Sequence, residues 1–138
     1  MSLVLLLLAI ILIGYDWRYR SVPTIPFILF CIGVVAQGWP SPQWRSFGIG
    51  CVLIVLCIGT EYFFKRPLLG IADKVLLPIS LLLIPLLDIG FYFICVGIIG
   101  LLISLFWRRV YGLEYFPFLP ALIIPLLGII LKCIDFST

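Results

Sequence analysis

The chain carries six acidic residues, Asp16, Glu61, Asp73, Asp88, Glu114 and Asp135, and no histidine. Without imidazole it lacks the commonest general base and metal ligand, so hydrolytic chemistry would have to rest on carboxylates, serine, lysine or cysteine. The five cysteines, Cys31, Cys51, Cys57, Cys95 and Cys133, form no C-x-x-C pair and sit in apolar runs. That spacing supports neither a zinc site nor a disulfide framework and predicts small buried hydrophobes, so no metal or other cofactor is expected. Asp16 closes an apolar run in Tyr15-Asp16-Trp17-Arg18-Tyr19-Arg20, and Asp73 opens another in Leu69-Gly70-Ile71-Ala72-Asp73-Lys74. Singly, Asp16 reads as an interfacial charge balanced by two arginines and Asp73 as a helix N-cap. As a pair they suit a definite chemistry. Two carboxylates held close cannot both ionise easily, so one keeps a proton while the other takes one from water, which is the aspartic-protease arrangement. The remaining acids read differently. Glu61 stands four residues before Lys65, the favourable order for a helical ion pair, and Asp88 and Asp135 read as solvated charges in a turn and near the C-terminus.

The elements that must position this pair follow from composition. Hydrophobic residues make up 64% of the 138 positions and charged residues 11%, with a mean hydropathy of +1.34. A soluble domain carries about a quarter charged residues, so fifteen charges cannot wet the outside of this chain, and lipid must cover it. A net charge of +3 with no basic cluster beyond Lys65-Arg66 and Arg108-Arg109 is too small to argue for nucleic acid, and no nucleic-acid partner is expected. Spans need about 20 residues, and charges and turn residues cut the chain into six apolar segments: Ser2–Trp17, Ile25–Trp39, Phe47–Phe64, Val75–Leu87, Ile89–Trp107 and Phe116–Ile134. Ser2–Tyr15 has no basic start and no small-x-small cleavage site, so it reads as a retained membrane helix rather than a signal peptide. Val75–Trp107 as one helix would reach about 50 Å, which favours two short spans meeting at Asp88-Ile89-Gly90.

Lys and Arg are retained on the cytoplasmic side. One set of loops holds Arg18, Arg20, Lys65, Arg66, Lys74, Arg108 and Arg109, and the other, with the termini, only Arg45 and Lys132. The expectation is an all-α membrane protein, a single membrane-embedded domain over 1–138. It is a bundle of about six transmembrane helices with both termini on the periplasmic or exterior side. Trp17, Trp39, Trp44 and Trp107 fall at span ends, where indoles favour the headgroup layer. Asp16 and Asp73, 57 residues apart in sequence, then share the cytoplasmic depth.

With these features in place the chain resembles the type IV prepilin peptidases, membrane aspartyl proteases of the glycine-x-glycine-aspartate group. Their first motif is an Asp ending a span with a Pro seven residues later, matched by Asp16 and Pro23, with Thr24 where Asn is common. Their second, Gly-x-Gly-Asp-x-Lys, is matched by Gly70-Ile71-Ala72-Asp73-Lys74-Val75, with Ala72 for the second glycine and the lysine one place early. Their Pro-Phe-Gly-Pro element at the last span is matched by Pro117-Phe118-Leu119-Pro120. The resemblance covers essentially the whole chain. It implies an aspartic endopeptidase in the inner (plasma) membrane that removes the basic leader of pilin-like or pseudopilin precursors at the cytoplasmic face. Asp16 and Asp73 would be catalytic, with Gly70, Ala72, Pro23, Pro117 and Pro120 supporting them. The larger members' four-cysteine cytoplasmic domain has no counterpart in this sequence, so no methyltransferase activity is expected. The altered glycine motif also fits a membrane assembly protein that binds pilin-like helices without cutting them. A transporter would place its acids near mid-span, whereas these lie at span ends.

Overall fold

The computed structural model describes the backbone of residues 2–112 and 117–137, and the side chains of 3–112 and 117–132. The expectations for Asp135 and Cys133, and the start of the last span at Phe116, lie outside the described residues. Every described element is helical: α1 (Ser2–Tyr19), α2 (Thr24–Gly38), α3 (Trp44–Phe64), α4 (Ile71–Leu81), a single 3-10 turn (Leu86–Asp88), α5 (Ile89–Tyr111) and α6 (Leu119–Ser137). Apolar runs of leucine and isoleucine supply the helices, and proline or left-handed residues end them. Arg20 takes φ 52° after α1 and Lys65 φ 54° after α3, while Gly112 closes α5 at φ 64° and donates its N–H to the Arg108 carbonyl.

α1 packs on α2 and α6, and α4 also packs on α2 and α6, so these four helices form a closed ring. The shared core is aliphatic and aromatic, with Leu5, Leu12, Phe30, Val34, Leu76, Leu81, Leu122 and Leu126 among its buried members. α3 rests on α4 and α5 on α6, outside the ring. α3 approaches closely because of one glycine: a Cβ at Gly50 would stand 2.8 Å from the Pro78 Cα. Pro78 lies inside α4, and lacking an N–H it cannot bond back to the preceding turn.

Trp44–Phe64 and Leu86–Tyr111 have mean hydropathies of 2.0 and 2.5 and are long and apolar enough to cross a membrane. α3 is inside out by the standards of a soluble protein. Its buried residues are Ser46 and Gly50, while Val52, Val55, Leu56 and Ile58 are each half or more exposed. Burying such a face from water is worth about 25 cal/mol per Å² of apolar area.

Some expectations give way. The fourth apolar segment, expected over Val75–Leu87, is helical from Ile71 to Leu81 and ends in turns before the 3-10 segment, because Pro78 and Pro85 interrupt hydrogen bonding on either side of its end. Trp107 is buried within the protein, where it meets Trp17 edge-on at 5.0 Å between ring centres. Cys31 is buried as expected, but Cys51, Cys57 and Cys95 are only half-buried, and these four thiols are free.

Candidate active site

Asp16 sits in the last turn of α1, and its carbonyl accepts the Arg20 N–H at 3.0 Å where the chain turns out of the helix. Its carboxyl forms no ion pair with the arginines. Arg18 lies over the Tyr19 ring at 5.4 Å and Arg20 over Trp107 at 5.3 Å, and among the described residues the only ion pair is Lys74–Glu61. The Asp16 carboxyl accepts the backbone N–H of Leu119, the first residue of α6. It thus caps a neighbouring helix, where free amide protons and the helix dipole favour a negative charge. Pro120 fits the next position because its missing N–H would have no intrahelical acceptor.

Asp73 is the third residue of α4, and the N-cap position belongs to Gly70. The N-cap expectation for Asp73 is therefore corrected: its carboxyl reaches back to the Gly70 N–H, the return half of a capping box. A Cβ at Gly70 would lie 3.2 Å from Asp73 Oδ2, so this close turn depends on the absence of a side chain. Ala72 follows, half-buried, on the cavity wall.

Both carboxylates are buried, Asp16 at 8% and Asp73 at 9% exposure. They line one cavity of about 880 Å³ at the end of the bundle. The end of α1, the start of α2, the segment between α3 and α4, and Pro117 and Phe118 before α6 enclose it. Its walls are largely apolar, with Val22, Phe27, Leu68, Ile71 and Val75, and Arg20 is the only cation among its lining residues. Asp16 Oδ2 and Asp73 Oδ1 are buried with no hydrogen-bond partner. Buried polar atoms are normally satisfied, so each aspartate holds one oxygen to the backbone and keeps another free. Asp73 precedes the apolar run that begins at Val75, and burial, reinforced by the Asp16 charge, pushes its carboxyl up to about 7, against a smaller downward pull from the Gly70 N–H.

Three segments far apart in sequence thus meet on one cavity: Asp16, Gly70-Ile71-Ala72-Asp73 and Pro117-Phe118. Pro23 and Pro120 do not line it. Pro23 precedes α2 and its carbonyl accepts the Phe27 N–H at 3.1 Å, while Pro120 is buried in the first turn of α6. The predicted Glu61–Lys65 pair is not formed. α3 stops at Phe64, Lys65 turns left-handed, and Glu61 instead pairs with Lys74. Glu61 Oε1 also accepts the N–H groups of Leu68 at 2.8 Å and Leu69 at 3.0 Å. Sequence reasoning missed this cluster because its partners lie across a turn rather than on one helix face. Asp88 is exposed, as a solvated charge should be. A second cavity of about 690 Å³, lined by Gln37, Gln43, Asp88, Tyr92 and Lys132 among others, opens at the other end of the helices and has one carboxylate.

No protein-family model, curated protein or solved structure matches this chain. Function must therefore be argued from the cavity.

Proposed function

We propose that this chain is a membrane aspartyl peptidase of the prepilin type, with six spans, both termini on the exterior side and the aspartate cavity at the cytoplasmic face. The observation that carries the reading is the meeting of Asp16 and Asp73, buried on one open cavity with one unpartnered oxygen each. Carboxylate oxygens beside an open cavity with no hydrogen-bond partner from the protein suit atoms that act on a water and a substrate. The raised Asp73 carboxyl is the member that carries the shared proton near neutral pH. Asp16, whose carboxyl accepts the Leu119 N–H at the start of α6, is assigned the role of the base. In hydrolysis Asp16 takes a proton from a water as its oxygen adds to the scissile carbonyl carbon, and Asp73 gives its proton to the carbonyl oxygen. As the C–N bond breaks, the nitrogen leaves as an amine with the proton held on Asp16, and one hydroxyl of the tetrahedral diol returns its proton to Asp73, which leaves a carboxylic acid and restores the pair. No covalent intermediate is needed.

The positive-inside bias supports the orientation, since seven of the nine cations fall in the loops and adjoining helix turns at the aspartate end. The apolar walls suit the apolar side of a pilin-like precursor, whose helix lies in the same bilayer. The test is coexpression with a prepilin-like substrate. Asp16→Asn and Asp73→Asn should each abolish the size shift while expression stays intact, and full processing by either variant refutes the mechanism. Wild-type protein that binds the substrate and never cuts it would instead establish the non-cleaving assembly role.

A further inference from the structure

Glu61 is the one acid of α3, a helix that packs chiefly on α4 and faces outward. Its carboxylate nevertheless makes the densest polar cluster among the described residues. Oε1 takes the N–H groups of Leu68 and Leu69, Oε2 takes the Lys74 ammonium, and the Cys57 thiol stands 3.9 Å from Oε1. Leu68 and Leu69 belong to the wall of the aspartate cavity, Gly70 follows them, and Lys74 is the neighbour of Asp73. The Lys74 and Glu61 side chains are only 20% and 14% exposed, so their pairing is less screened than a surface pair.

We infer that Glu61 is a positioning residue for Asp73: it fastens the 67–70 wall of the cavity through two backbone amides and holds the Lys74 charge away from the aspartate pair. The role of Asp73 in cleavage rests on the peptidase reading, but the clamp itself does not. Among the described residues, the charged groups near Asp73 are few. α1 brings Asp16 and, at its end, Arg20; α4 itself brings Lys74; and α3 brings Glu61 through Lys74. The cavity-lining residues from α2 and from the segment before α6, Thr24, Phe27, Pro117 and Phe118, are not titratable. Freeing Lys74 therefore changes one charge in a short list. A cation newly free to turn toward a carboxylate favours its ionised form.

Two variants separate the two parts of the clamp. Glu61→Gln keeps an oxygen for the amides and loses the ion pair, while Glu61→Ala loses both. Carbodiimide labelling of Asp73 in the full-length protein, followed by mass spectrometry across pH, reads its protonation without any substrate. Glu61→Gln should move the Asp73 midpoint down by about one pH unit, and adding Lys74→Met should return it to the wild-type value, a rescue that a merely structural role would not give. Glu61→Ala should speed amide hydrogen exchange at Leu68 and Leu69 by about tenfold or more, with Val52–Leu56 in mid-α3 unchanged. An unmoved Asp73 midpoint in Glu61→Gln, or wild-type exchange at Leu68 and Leu69 in Glu61→Ala, overturns the inference. Should both effects appear in a chain that cuts no prepilin-like substrate, the clamp stands and the peptidase reading falls.

Discussion

Replacing Gly70 by alanine should separate the chemistry of this site from its stability. Gly70 adopts φ −65° and ψ 160°, a region open to any residue, so alanine brings no backbone strain. Losing glycine's freedom in the unfolded chain gains about 0.4–1 kcal/mol, and alanine is a poorer N-cap than glycine by a similar amount. The two offset, and the thermal midpoint should hardly move. The new Cβ would stand 3.2 Å from Asp73 Oδ2 and 4.0 Å from its Cγ. That is tighter than ordinary contact, so the carboxylate must withdraw by a few tenths of an ångström, and its bond to the Gly70 N–H must loosen. A misplacement of about 1 Å at a reacting group costs about 100-fold. A shift of a few tenths should therefore cost about 3–10-fold in kcat, with KM little changed because the cavity walls are untouched. Gly70→Val, with two more carbons aimed at the same oxygen, should lose about 100-fold or more. The assay is single-turnover cleavage of a prepilin-like substrate in lipid nanodiscs, with thermal unfolding recorded on the same samples. Wild-type turnover by Gly70→Val, with its fold intact, would refute the claim that this turn sets the Asp73 carboxylate.

Asp73→Asn should also change stability in a pH-dependent way. The folded carboxyl sits at about 7 against an ordinary 3.8, so between those values the folded chain keeps a proton that the unfolded chain has lost. Stability must then fall as pH rises through that window, by at most about 4 kcal/mol once above it, at 1.36 kcal/mol per pH unit. Asp73→Asn should accordingly unfold above the wild-type temperature at about pH 8 and close to it at about pH 4, and equal midpoints at both would contradict the burial argument. Gly50→Ala places a Cβ 2.8 Å from the Pro78 Cα and 2.9 Å from Leu81 Cδ1; such overpacking should cost about 1–3 kcal/mol in a denaturation series. Tyr92→Phe removes a hydroxyl that donates to the Leu122 carbonyl at 3.2 Å and meets Ser80 Oγ at 3.3 Å. Its loss should cost about 1 kcal/mol and leave cleavage unchanged, since Tyr92 lines the cavity at the other end.

Much of the helical plan was legible along the chain because its signals are local. Pro23, Pro67 and Pro85 all fall between helices, and hydropathy marks the runs between them. Boundaries drifted by a few residues where the turn chemistry was subtle, as at α4, which starts at Ile71 rather than at the apolar run. The candidate residues were legible as types at suggestive spacings: an acid at the end of one run, an acid at the start of another, and a Pro-x-x-Pro element later. Glu61 was the clearest misreading. A partner four residues on is the natural expectation on a helix, but the helix ended one residue before Lys65 and gave Glu61 a different partner 13 residues on.

Sequence by itself determined what kind of object this is: an all-helical chain poor in charge, with Asp16 and Asp73 at the ends of apolar runs. Composition, period and caps act over a turn or two, and they can be read without knowing what packs on what. Only the tertiary structure decided that Asp16 caps α6, that Asp73 turns back to Gly70, and that the two meet on one cavity across 57 residues of chain. Helices that are apolar on every side carry no stripe to reveal their inward face. Which faces meet is set by small contacts such as Gly50 on Pro78, and by where each buried polar atom finds a partner or is left without one.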